Sequence, residues 1–208
     1  MTRLIASHMV SLDGFSAGPG QSLEHPLGKG GEALHMPWFF ESDHPADRAR
    51  HSELNTPVDA NIMGRNMFGP VRGGWDTWEH EWRGWWGEDP PYHAPVLVLT
   101  HHEREPLEMQ GGTTFHFVTE GFDAAYARAC EIAGPDGTVR VTGGASTVRQ
   151  AIQAGVLDEL RLSHVPILLG DGERLLEGLP DVRLEPVESA HSPNAVHVTY
   201  RVVRRSES

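Results

Sequence analysis

The segment Val139-Arg140-Val141-Thr142-Gly143-Gly144-Ala145-Ser146-Thr147-Val148 restricts what this chain can fold into more than any other. Its β-branched residues predict a strand, two glycines end it, and a helical pattern begins at once with no linking loop. Strands that pass into helices in this way build an α/β layer, because each helix folds back across the sheet to cover its apolar face. Glycine also lets the backbone approach a ligand closely, and a helix start presents free N–H groups with partial positive charge. The segment is therefore either a tight, ligand-free turn or a pyrophosphate cradle formed by Gly143, Gly144, Ala145, Ser146 and Thr147. It is not the Gly-x-Gly-x-x-Gly fingerprint, so a standard Rossmann site is not implied.

The same alternation runs through the rest of the chain. Residues 3–10 predict an opening strand that Ser11-Leu12-Asp13-Gly14-Phe15 ends in a turn. Residues 16–37, rich in Gly, Pro and Ser, read as a long irregular loop. Pro45 to Asn55 predicts a helix, with Asp43 or His44 as its cap and Pro57 beyond its end. Further strands are predicted over Val58–Met63, Pro95–Thr100, Thr114–Val118, Thr138–Thr142 and Leu160–Pro166, and helices over Phe122–Ala133 and Ala145–Ala154. Two late strands, 182–189 and 195–204, flank Ser192-Pro193-Asn194 and read as an antiparallel hairpin. The expected fold is α/β: one three-layer domain over residues 1–208, with a mostly parallel central sheet and the hairpin at its C-terminal end.

Two more strand ends favour anions. Gly64-Arg65-Asn66 places a glycine and a cation where a short helix begins, and an arginine can grip a phosphate in bidentate fashion. Thr100, His101 and His102, with Arg104 close behind, follow the strand 95–100 at the edge where open α/β sheets collect ligands. A solvated turn would account for the histidine pair alone; three anion-friendly strand ends in one domain are harder to dismiss.

Composition narrows the classes. The net charge of −12, from 17 Lys and Arg against 29 Asp and Glu, argues against general nucleic-acid binding, which depends on basic surface. No apolar run reaches the roughly 20 residues that a membrane-spanning helix needs. The single cysteine, Cys130, allows no intrachain disulfide and fits a reducing, cytoplasmic setting, where it reads as a buried inert thiol. The 13 histidines form neither a His-Glu-x-x-His nor, with one cysteine, a Cys-x-x-Cys pattern, so no metal site is expected. Five of the six tryptophans (Trp75, Trp78, Trp82, Trp85, Trp86) fall within residues 71–94. They could stack on a flat ligand, form a dimer contact or build a local core.

Several segments carry a family likeness: Ser11-Leu12-Asp13-Gly14-Phe15, Met63-Gly64-Arg65, Gly143-Gly144-Ala145, and Gly155-Val156-Leu157-Asp158-Glu159-Leu160 continuing through Pro166-Ile167-Leu168-Leu169-Gly170-Asp171-Gly172 to Leu175-Leu176. In order and spacing they resemble the dihydrofolate-reductase-like superfamily, and within it the C-terminal reductase domain of the bifunctional riboflavin-biosynthesis deaminase–reductase. The resemblance implies NADPH held by the three strand ends, hydride transfer to a small heterocyclic or ribosylamino-pyrimidine substrate, and a homodimer. It also implies that Asp13 is the substrate-side catalytic residue, although an Asp-Gly turn that caps its own backbone is the alternative. The zinc deaminase half has no counterpart in this chain. Folate reductases place a carboxylate soon after a Pro-Trp pair, and Phe39-Phe40-Glu41-Ser42-Asp43 after Pro37-Trp38 does not match that pattern cleanly; the tryptophan-rich stretch aligns with nothing in the riboflavin enzyme. A non-catalytic nucleotide- or flavin-binding module on the same fold is the competing expectation.

Overall fold

A computed structural model describes residues 1–70, 72–77 and 81–203, so Trp78 lies outside the described residues. The strands are β1 (Arg3–Ser11), β2 (Phe15–Ala17), β3 (Ala60–Gly64), β4 (Pro95–Leu99), β5 (Leu107–Glu108), β6 (Thr114–Val118), β7 (Thr138–Gly143), β8 (Glu159–Val165), β9 (Glu173–Arg174), β10 (Arg183–His191) and β11 (Val196–Val203). Nine of them form one sheet in the order β10-β11-β8-β1-β7-β3-β4-β6-β5. The five central pairings, from β8 to β6, are parallel, and β10, β11 and β5 run antiparallel to their neighbours. The mostly parallel sheet with its closing hairpin is thus the expected one. The short pieces β2, β5 and β9 carry too few residues to show a period and were not legible in the sequence.

The helices are α1 (Pro45–Leu54), α2 (Arg65–Phe68), α3 (Phe122–Ala133) and α4 (Ala145–Gln153). Alternation along the strands decides which face each helix covers. Leu4 and Ala6 of β1, Ala60 and Ile62 of β3, and Val139 and Val141 of β7 pack with Ala125, Ala129, Val148 and Ala151 of α3 and α4. Burying these aliphatic side chains supplies the main driving force, on the order of 1.5–3 kcal/mol for each large one. The opposite face carries Arg140, whose guanidinium donates to the carbonyls of Leu54 and Thr56, each at 2.8 Å. A cation there satisfies the last carbonyls of α1 and complements the helix dipole. At its other end Pro45 opens the helix and His44 Nδ1 accepts from the Ala46 N–H at 3.3 Å, so His44, not Asp43, is the cap.

Beneath α1 sits a buried polar chain. Ser163 Oγ lies 2.9 Å from His197 Nδ1, and His197 Nε2 lies 2.8 Å from Asp47 Oδ1. Burial opposes the Asp47 charge, but hydrogen bonds led by Ser42 and His197 hold its carboxyl below the usual range. All three members are sealed from solvent, so the chain ties α1 to β8 and β11 and offers no surface for chemistry. A second apolar cluster groups Met63, Phe68, Val96, Val98 and Phe115 with the partly buried Trp75 and Trp82. Cys130 is half-buried on α3, not fully enclosed as expected.

Candidate functional site

A cleft of about 1360 Å³ follows the C-terminal ends of the parallel strands. Its wall includes Gly64, Arg65, Asn66, Thr100, His101, His102, Gly144, Ala145, Ser146 and Thr147, so the structure brings the three predicted strand ends to one surface. They meet because parallel neighbours in a sheet end side by side: β3 lies between β7 and β4, and each strand delivers its turn to the same edge.

The two glycine turns are built differently. Gly144 adopts an ordinary extended conformation (φ −77°, ψ −166°) and precedes α4, whose start no side chain caps. A Cβ added at Gly144 would meet nothing within 4 Å, so the space before that helix start stands open. Gly143, joined to it by a cis peptide, has φ +123° and faces His8 Nε2 and Met67 Sδ, each 3.1 Å from where a Cβ would lie. Gly143 itself is buried and does not line the cleft. A Cβ on Gly64 would come 2.9 Å from Thr147 Oγ1 and 3.6 Å from the Gly144 nitrogen. The Gly64 turn therefore abuts the first turn of α4.

Arg65 follows directly. Its Nη1 lies 3.5 Å from Thr100 Oγ1, while its Nε and Nη2 are shielded from solvent without a hydrogen-bond partner. Burial, with the charges of Arg72 and Arg104 behind it, lowers the Arg65 pKa from its usual value. An arginine nonetheless stays protonated in proteins, so Nε and Nη2 leave a half-buried cation short of acceptors. Thr100 Oγ1 also accepts the His102 N–H at 3.2 Å, which shapes the turn. His101 and Asn66 are exposed at the rim, and His102 is half-buried.

Asp13 is not brought into this set. Its carboxylate accepts from Ser11 Oγ at 2.6 Å, the Leu169 N–H at 3.1 Å and the Gly170 N–H at 2.8 Å, and it is absent from the cleft wall. These bonds, that of Ser11 foremost, hold its carboxyl down at about 2. The structure thus gives the Asp13 carboxylate internal partners and does not bring it to the cleft wall with the three strand ends. Asp13 fastens the turn after β1 to the loop after β8 by accepting from the amides of Leu169 and Gly170, which need a partner.

Other wall residues gave no sequence signal. His8 of β1 and His35 face the cleft, and burial holds each imidazole down to about 4, with His35 adding to the effect on His8. Among the described residues neither His8 Nε2 nor His35 Nδ1 has a hydrogen-bond partner. Single histidines in a strand and a loop carry no spacing that would mark them. The tryptophans divide between two roles: Trp85 and Trp86 line the cleft, whereas Trp75 and Trp82 pack on the second core. Among the described residues no cluster of His, Cys, Asp or Glu is arranged to hold a metal ion, and no helix is long and apolar enough to cross a membrane.

A parallel sheet with an antiparallel closing pair and a cleft across its strand ends defines a dihydrofolate-reductase-like α/β protein. The model of the RibD C-terminal domain family matches residues 2–198, and the chain belongs to that family. Among solved structures, a Shewanella sp. PV-4 protein assigned to riboflavin biosynthesis aligns at TM-score 0.64 and 22% identity, over 98% of this chain and 100% of the other. A pyrimidine reductase-like protein from Corynebacterium diphtheriae aligns at 0.57 and 16%, over 98% and 93%. Dihydrofolate reductase from Enterococcus faecalis, solved with NADP(H) and RAB-propyl, aligns at 0.54 and 15%, over 96% of both chains. No curated protein shows significant sequence similarity.

Proposed function

We propose that this chain is an NADPH-dependent reductase of a small heterocyclic substrate, of the ribosylamino-pyrimidine type, acting as a homodimer. One observation carries the reading: the open space before Gly144 at an uncapped helix start, on the same cleft as Arg65, whose Nε and Nη2 have no hydrogen-bond partner among the described residues. That space suits a pyrophosphate, which the N–H groups of Ala145 and Ser146 would hold, and Arg65 and Thr100 suit a further phosphate on the ribose. Family membership supports an oxidoreductase, as do neighbours described as a pyrimidine reductase-like protein and as a reductase solved with NADP(H).

When bound, the reduced nicotinamide supplies the hydride; the chain supplies position and electrostatics. His8 and His35, neutral at physiological pH, give the wall hydrogen-bonding groups that add no charge beside the substrate. Trp85 and Trp86 provide flat apolar surface for a heterocycle.

A second reading has one observation in its favour. The Asp13 carboxylate is occupied by three internal hydrogen bonds and stands off the cleft wall, which leaves the family's substrate-side acid unmatched there, as in a non-catalytic nucleotide- or flavin-binding module. The two readings separate by following NADPH absorbance with pyrimidine, pterin and flavin candidates beside calorimetric titration of NADPH. Binding with oxidation is the expected result. Binding without oxidation of any candidate favours the module, and no NADPH binding overturns the reductase.

A further inference from the structure

We propose that Trp75 is a positioning residue for phosphate recognition, and that through it the tryptophan-rich segment sets the preference for NADPH over NADH. The inference rests on the reductase reading and extends it to residues that the family motifs do not touch.

An arginine side chain is long and loses much rotamer freedom when held in one place. Arg65 has no intramolecular hydrogen bonds at Nε or Nη2 to do this. Trp75 does it instead: the guanidinium carbon lies 3.9 Å from the indole centroid, the geometry of a cation held over a ring face. The stack takes up the guanidinium face only and leaves the Nε and Nη2 donors in its plane without an acceptor.

Trp75 is fixed in turn from three sides. Its Nε1–H donates to the His102 carbonyl at 2.9 Å, and its ring meets Phe68 and Phe117 edge to face at 5.8 and 5.0 Å. One indole therefore joins the turn after β4, the short helix that carries Arg65 and the face of β6. Arg104 shares the same ring at 5.1 Å and is tied down by the Trp82 carbonyl at 2.8 Å and Glu81 at 2.9 Å. Arg65 thus feels the charges of both Arg104 and Arg72 in a chain whose net charge is −12. Arg104 is already met by the Glu81 carboxylate, so the guanidinium left short of acceptors is that of Arg65, and a concentrated negative charge would satisfy it. A phosphate monoester on a ribose has that charge, and Arg65 lines the same cleft as Gly144 and the start of α4, beside which the Gly64 turn packs.

A purely structural role for Trp75 in the second core is the rival, and the two differ in what they do to cofactor choice. Full-length wild type, Trp75→Leu and Trp75→Phe are titrated with NADPH and NADH by calorimetry, each beside a thermal melt. Trp75→Leu is expected to weaken NADPH about tenfold, equivalent to about 1.4 kcal/mol, and to leave NADH within about twofold. Trp75→Phe, which keeps a ring under Arg65, should retain most of the preference. Equal losses for both nucleotides, or none, overturn the proposal.

A second arm holds even if Trp75→Leu does not fold. Adenosine 2′,5′-bisphosphate, but not adenosine 5′-monophosphate, should change tryptophan emission in wild type, and Trp75→Phe should abolish that change. The same response in both chains overturns the proposal. A wild type that prefers NADPH beside a Trp75→Leu chain that still prefers it removes the Trp75 role alone. A wild type that binds neither nucleotide removes the reductase reading with it.

Discussion

The turns at Gly64 and at Gly143-Gly144 look alike in sequence, each a strand passing through glycine into a helix, yet the three glycines serve three different needs. Gly143 answers to the backbone, because φ +123° lies where L side chains rarely go. Gly64 answers to packing, since its conformation (φ −77°, ψ 158°) would accept any residue but a Cβ would press on Thr147 Oγ1 at 2.9 Å. Gly144 answers to neither: its conformation is ordinary and the space before it is open. A glycine that neither backbone nor packing demands is the one that the proposed cofactor contact would explain.

Substitution should separate the three. Gly143→Ala is expected to cost the most, about 3 kcal/mol, from a disfavoured φ combined with contacts to His8 and Met67. For a chain of this size that lowers the melting temperature by about 6–12 °C in a thermal scan. A loss under about 1 kcal/mol would show that the turn can relax and would blunt the comparison.

Acid should strike the same side of the turn, because His8 stands against Gly143 and not against Gly144. His8 and His35 have native pKa values of about 4 against an unfolded value near 6.5, so between those limits the unfolded chain binds protons that the native state does not. Stability from this pair is therefore full above about pH 6.5 and falls toward pH 4, by about 2–3 kcal/mol once their residual contact with the cleft is allowed for. Denaturant titrations across that range, repeated with His8→Gln, should give a shallower acid limb in the variant. An unchanged limb would remove His8 from the account.

Gly144→Ala is expected to melt like wild type and to bind NADPH at least about tenfold more weakly, equivalent to about 1.4 kcal/mol. Calorimetry beside a ligand-free melt measures both, and undiminished binding would place the pyrophosphate elsewhere. The smallest effect belongs to Gly64→Ala, about 1 kcal/mol of stability from overpacking. A double-mutant cycle with Thr147→Ala should return most of that loss, since the two sites share one contact.

Much of the frame was legible from residue order. The strand, glycine turn and helix across residues 138–154, the strand Thr114–Val118, the helix Phe122–Ala133 and the final hairpin all follow from local periodicity and turn residues. The gathering of the three strand ends was legible too, because parallel strands joined by crossover helices can only end on one edge. Periodicity says which face a side chain takes, however, and not what it meets there. The Asp13 carboxylate turned to the amides of Leu169 and Gly170, His8 came to lie beside His35, and the tryptophans divided between the cleft and the second core. Each outcome depends on partners brought in by a different element or a distant loop. Local spacing fixed the elements and their edge, while packing among residues far apart in the chain decided which polar groups are satisfied internally and which are left facing the cleft.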